Sequence, residues 1–231
     1  DMLEASIKNP TRQAVIFNLK GQLQVSIGNI RGAESSFKKS MLLAPDYLPP
    51  YYALAHIYLR ESRIENAIAQ YQFALEQAER REIPHMMLGI IYSLQNEWDL
   101  AEKHYRNSLE TNPEFSPAAN NLAYLLAERE KHLSDALRYA RLAHRLTPDD
   151  YRVLDTLGWV YVKLGMYDRA VRKLTQSLEH APDNPTILYH LGVAYYKSGA
   201  ADQAEAKLKQ ALDISEDFEG ARHAKEILAA L

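Results

Sequence analysis

Ala33, Ala67, Ala101, Ala136, Ala170 and Ala204 recur at steps of 34, 34, 35, 34 and 34 residues. A fixed period of this length constrains the chain more than any composition does, because it is the mark of a supersecondary unit that buries its apolar face only against copies of itself. The chain is therefore read as a repeat array.

Other columns keep the same step. A small residue recurs as Gly21, Ala55, Gly89, Ala123, Gly158 and Gly192. Three residues later come Tyr58, Tyr92, Leu126, Tyr161 and Tyr195, with Gln24 departing. A large apolar residue follows each alanine by four, as Phe37, Tyr71, Tyr105, Leu174 and Leu208, with Ala140 undersized. Three further on stands Ser40, Ala74, Ser108, Ala143, Ser177 or Ala211. Pro45, Pro113, Pro148 and Pro182 close their repeats, and Glu79 and Glu216 take that place in the second and sixth.

Within a repeat the column residues are spaced by three and four, which puts an apolar stripe on one face of each of two amphipathic helices. Gly28, Gly165 and Gly199, with Ser62 and Asn96 as weaker versions, fall between the stripes, where a helix ends in a residue that tolerates positive φ. Pro49, Pro84, Pro117 and Pro185 fall in the first turn of the following helix, where a missing amide hydrogen leaves nothing unsatisfied. Ser116-Pro117 and Asn184-Pro185 read as N-cap plus first helical residue.

The stretches NLAYLLAE, DTLGWVYVKLGMYDRAVRKLTQSLEHAPDN and YHLGVAYYKSGAADQAEAKLKQAL carry these columns most fully, and they resemble tetratricopeptide repeats. The resemblance covers residues 14–218 as six repeats, 14–47, 48–81, 82–115, 116–150, 151–184 and 185–218. It implies an all-α fold, an α-solenoid of antiparallel helix pairs in a right-handed superhelix. Residues 219–231 read as a C-terminal capping helix, with Ala221, Ala224, Ile227, Leu228 and Leu231 on one face. Residues 1–13 read as the remnant of a preceding repeat. Met2 and Ala5 take its large and small columns, and Asn9-Pro10 resembles the proline that closes a repeat. The single 35-residue step places an extra residue in the fourth repeat's turn, residues 129–134.

Net charge is −3 and the basic residues are dispersed, which argues against nucleic acid as a partner. The chain has no cysteine, so there is neither a disulfide framework nor a thiolate site. No apolar run reaches membrane-spanning length, and the compartment, cytoplasmic or periplasmic and envelope-associated, stays open. No phosphate loop, nucleophile elbow or His-Glu-x-x-His is present, so no catalytic, cofactor or metal site is expected. Glu82 and His85 have the spacing of two metal ligands on one helix face, but His85 occupies a packing column and reads as a packed side chain.

The resemblance further implies that first helices line a concave groove. Carried over repeat by repeat, the groove positions are Asn18, Gln22 and Val25; Tyr52, His56 and Arg60; Met86, Ile90 and Leu94; Asn120, Tyr124 and Glu128; Arg152, Asp155, Trp159 and Lys163; and Tyr189, Val193, Tyr196 and Lys197. Asn120, Tyr124, Arg152, Asp155, Trp159, Lys163, Tyr189, Tyr196 and Lys197 are the expected partner-binding residues. Trp159 is taken as an exposed anchor in an aromatic strip with Tyr124 and Tyr189, a basic rim beside it and Asp155 the only nearby acid. Asn18, Asn121 and Arg152 supply only fragments of the Lys/Asn clamp by which some members hold a C-terminal carboxylate.

The expected function is a non-enzymatic scaffold that binds a peptide or helical segment of a partner protein in the groove. The Asn-Leu-Ala-Tyr and Asp-Thr-Leu-Gly-Trp-Val phrases resemble bacterial repeat proteins of exopolysaccharide and exosortase systems, which points to an envelope or secretion assembly. The alternatives are a regulatory or targeting arm of a larger enzyme and a module that self-associates through its N-terminal half-repeat.

Overall fold

The computed structural model describes residues 9–77 and 80–231, so Met2, Ala5 and the rest of 1–8, and Glu79, lie outside the described residues. Among the described residues there are thirteen helices and no strand. They fall into two compact lobes, residues 9–111 and Asn112–Leu231. The N-terminal lobe holds α1 (Pro10–Ser26), α2 (Ile30–Leu43), α3 (Pro49–Arg60), α4 (Ile64–Gln77), α5 (Glu82–Leu94) and α6 (Trp98–Thr111). The C-terminal lobe holds α7 (Ser116–Glu128), α8 (Leu133–Leu146), α9 (Tyr151–Lys163), α10 (Tyr167–His180), α11 (Pro185–Lys197), α12 (Ala201–Ile214) and α13 (Ala221–Ala230). Each lobe is a stretch of α-solenoid: odd and even helices pair, and each pair stacks on its neighbour in sequence.

The turn chemistry follows the sequence. Gly28, Gly165 and Gly199 take φ of 78°, 71° and 83°, and Ser62 and Asn96 take 57° and 62°, so all five expected turn residues are left-handed. The longer fourth turn uses two such residues, Glu130 and His132. Asn184 caps α11 by accepting from the Thr186 and Ile187 amides. Two expectations are corrected. Ser116 is the first residue of α7 and Phe115 its cap position; the Ser116 hydroxyl instead pairs with Thr147 Oγ1 at 2.7 Å, tying α7 to the end of α8. Asn9-Pro10 opens a helix: Asn9 accepts from the Arg12 amide and Pro10 is the first residue of α1, the arrangement that a side-chain acceptor followed by a residue without N–H favours.

The column pairs are explained within each helix pair. A Cβ on Gly21 would stand 2.5 Å from the Phe37 ring, on Gly89 2.5 Å from Tyr105, on Gly158 2.6 Å from Leu174 and on Gly192 2.6 Å from Leu208. The small column of the first helix is thus the seat of the large column of the second, and the sequence shows both because neither works alone. The Ser column adds a cross-tie: Ser40, Ser108 and Ser177 donate to the carbonyls of Ala14, Glu82 and Tyr151 on the partner helix at 2.6–2.7 Å. Tyr58 reaches back to the preceding pair, donating to Glu34, which also holds Lys38 and Arg63.

One face lacks this cover. In α3, α5, α7, α9 and α11 the two stacking columns are filled by Pro50 and Ile57, Pro84 and Ile91, Ala118 and Leu125, Val153 and Val160, and Ile187 and Ala194, all buried. The same columns in α1 hold Ile16, 56% exposed, and Leu23, 64% exposed, with Leu19 and Ile27 exposed beside them.

Candidate functional site

The first helices of the C-terminal lobe carry their inner columns against one another and not out to solvent. Asp155 on α9 and His190 on α11 meet at 2.8 Å between Oδ1 and Nδ1, with the histidine fully buried. The Trp159 ring stacks on His190 with centroids 4.1 Å apart and 20° between planes. Trp159 Nε1 donates to the Glu128 carboxylate of α7. Tyr189 stands 5.9 Å from Trp159, and Tyr124 reaches His190 at 6.4 Å across the intervening α9. Lys163 lies 5.0 Å above the Trp159 ring and 3.2 Å from Glu130. Rings in this arrangement gain from packing and dispersion, and every polar group named has a charged or neutral counterpart.

A segment from beyond the last repeat closes the face. Between α12 and α13 the chain passes over Tyr189: the Phe218 ring lies 6.0 Å away at 58° and the Tyr189 hydroxyl meets His223 Nδ1 at 2.8 Å. Gly220 has φ 98°, and a Cβ there would sit 2.3 Å from the Tyr189 ring, so only glycine lets the backbone pass. The Glu219 carboxylate acts on the Tyr124 hydroxyl from the same side. Burial raises the Tyr124 phenol pKa strongly, helped by the Glu128, Glu219 and Asp155 charges. Burial and the Glu128 and Glu219 carboxylates push that of Tyr189 up to about 12. Both phenols therefore stay protonated donors across the ordinary pH range.

These positions revise the expected site. Trp159 is 5% exposed and cannot serve as an exposed anchor, because His190 covers its face and Glu128 its N–H. The expected strip joins Trp159 to Tyr189, while Tyr124 joins through His190. Asp155 is not the only acid, since Glu128, Glu130 and Glu219 lie on the same cluster. Arg152 is exposed but turned to Asp150, which accepts its Nη2 at 2.7 Å and its backbone amide at 2.9 Å. Lys197 is exposed and stands 5.9 Å over Tyr196, and Asn120 is half-buried with a buried carboxamide oxygen. Sequence reasoning missed His190, Glu219 and His223, because His190 stands in a column filled by Leu19, Ala53 and Met87 in the first three repeats, and the other two lie outside the repeats.

In the N-terminal lobe the corresponding columns are less filled. Tyr52, Met86 and Ile90 are half-buried, and His56, Arg60 and Leu94 are exposed. His85 packs as expected, but against a second histidine: its Nδ1 lies 3.0 Å from His104 Nδ1, and Tyr92 stacks on His104 at 5.4 Å. Burial lowers both pKa values, that of His104 to about 4, so at neutral pH one uncharged ring donates to the other. Among the described residues no three His, Cys, Asp or Glu converge as metal ligands, and no helix is long and apolar enough to cross a membrane.

Three family models, each described as tetratricopeptide repeat, match residues 48–80, 85–117 and 156–222. The TPR repeat-containing protein PA4667 of Pseudomonas aeruginosa is 28% identical over 153 residues, which is 66% of this chain and 26% of that protein. The chain spans between about a quarter and a third of the first curated relatives it matches, 26%, 31% and 29% of their lengths. Among solved structures, the APC/C hetero-tetramer Cut9-Hcn1 superimposes with a TM-score of 0.79 at 21% identity, over 98% of this chain and 44% of that one. YrrB, a TPR protein with an unusual peptide-binding site, gives a TM-score of 0.60 at 25% identity, over 82% of this chain and 97% of that one.

Proposed function

We propose that this chain, which is a tetratricopeptide repeat protein, is a non-enzymatic scaffold that binds a segment of a partner protein along the first helices of its C-terminal lobe. Proteins built from these repeats generally mediate protein–protein interaction and are generally non-catalytic. The observation that carries the choice of face is its division of labour. Trp159, His190 and Asp155 form a bonded floor, while Arg152 and Lys197, at the ends of the same helices, are exposed and Tyr196 and Asn120 are half-exposed. A floor held by its own contacts keeps the exposed groups around it in place at low entropic cost, and charged groups there set register and association rate. An envelope assembly role is a second reading, favoured by the phrases at 121–124 and 155–160 and by the likeness to a bacterial relative.

The test is positional. A photocrosslinking amino acid is placed at Tyr196 or Arg152 on first helices, or at Lys209 or Arg172 on second helices, and the crosslinked partners are identified from the native cell. One partner captured from the first two positions and absent from the others supports the reading. Capture from the second helices alone overturns it.

A further inference from the structure

The C-terminal lobe carries a ligand-like corner of its own. Phe218, Glu219 and Gly220 belong to no helix, yet they lie on the inner face: Phe218 and Gly220 sit on Tyr189, and the Glu219 charge acts on Tyr124, 95 residues earlier. A terminal helix that merely covered the last repeat would need only the buried faces of Ala221, Ala224 and Ile227. The corner adds a half-buried aromatic ring, a backbone pressed on the buried Tyr189 phenol and an exposed carboxylate whose charge acts on the half-buried Tyr124.

We propose that the Phe218-Glu219-Gly220 corner is an intramolecular occupant of the partner site, and that the partner presents a matching segment, an aromatic residue followed by a carboxylate and then glycine, which displaces it. This rests on the inner face being the partner surface, and it adds both the partner's chemistry and a form of regulation. The site is part-closed at rest. An incoming segment must outcompete a tethered one, which lowers its apparent affinity by the fraction of time the corner is seated.

The probe is a fluorescein-labelled peptide, Ser-Glu-Asp-Phe-Glu-Gly-Ala-Arg, the chain's own residues 215–222, read by anisotropy. A protein carrying Phe218→Ala and Glu219→Ala should bind it at least tenfold more tightly than the unaltered chain. Peptides with alanine in place of the phenylalanine or of the glutamate after it should lose most of that binding. Equal binding to both proteins, or none to the emptied one, overturns the proposal. Should the doubly altered protein fail to fold, 4-fluorophenylalanine at position 218 of the otherwise unaltered chain gives a second reading. Its fluorine resonance should move to the free-segment position as unlabelled peptide is added, and a resonance that never moves overturns the proposal. Crosslinking from Tyr196 and Arg152 with no peptide binding would sink this inference and leave the scaffold reading standing. Peptide binding without first-helix crosslinks would overturn the scaffold reading and with it the partner's part in this inference, leaving only a displaceable corner.

Discussion

The two lobes are built on the same packing columns and differ in what their inner columns do. In both, an alanine and a small residue mark each helix pair, met by a large apolar residue in every pair but the fourth, where Ala140 stands, and the six alanines of the period are all fully buried. At one inner position the N-terminal lobe has His56 and Ile90, exposed and half-buried, where the C-terminal lobe has Tyr124, packed toward His190, and Trp159, bonded to Glu128. The comparison teaches that the columns fix the fold and leave the inner positions free to become either open surface or a second, polar core.

The largest expected effect separates the lobes at that column. Trp159→Ala should cost about 3–5 kcal/mol in denaturant unfolding, since it empties a buried site and bares one face of His190. Ile90→Ala, at the same repeat position but half-exposed, should cost about 1 kcal/mol. Equal losses would break the contrast. A smaller effect should show the lobes alike: Ala101→Leu and Ala170→Leu should each cost about 1–3 kcal/mol by overpacking a closed helix contact. A loss in one and not the other would mean that the shared column is not packed equivalently.

The smallest effect is a pH dependence centred on the N-terminal lobe. The His104 pKa is depressed from 6.5 to about 4, so the unfolded chain takes up a proton that the folded one resists. Its contribution is full above pH 6.5 and is lost as pH falls toward 4, with His85 and, in the C-terminal lobe, His144 acting in the same direction. Discounted for solvent screening of a half-exposed ring, the loss is about 1 kcal/mol. His104→Phe should flatten the urea-midpoint curve between pH 5 and 6.5, above the range in which Glu34, held down to about 2 chiefly by Lys38, begins to titrate. An unchanged slope would show that the histidine pair is not the source.

The sequence made the fold legible because each packing column repeats: six copies of a close helix approach leave six small residues in register, and five left-handed turns leave Gly, Ser or Asn. The candidate site was legible only in part, for the same reason reversed. Asp155, Trp159 and Tyr189 stand out as departures from the repeat, but their burial depends on His190 and on the 218–223 corner, and neither a unique residue in a column nor an interaction spanning 95 residues leaves a periodic trace. Ser116 was misassigned because serine before proline satisfies the capping pattern whether its hydroxyl turns to its own helix or, as here, to Thr147.

The bare stacking columns of α1 also say what it takes to dissect such a chain. Ile16 and Leu23 are exposed at the two stacking positions where α3 buries Pro50 and Ile57, so a fragment started at Pro49 would trade one sticky edge for another, made of Pro50 and Ile57. Trimming whole repeats leaves the number of such edges unchanged while shortening the core that must keep each fragment in solution. A soluble fragment therefore calls for recolouring the new edge with charge at the two stacking positions, not for a better choice of cut.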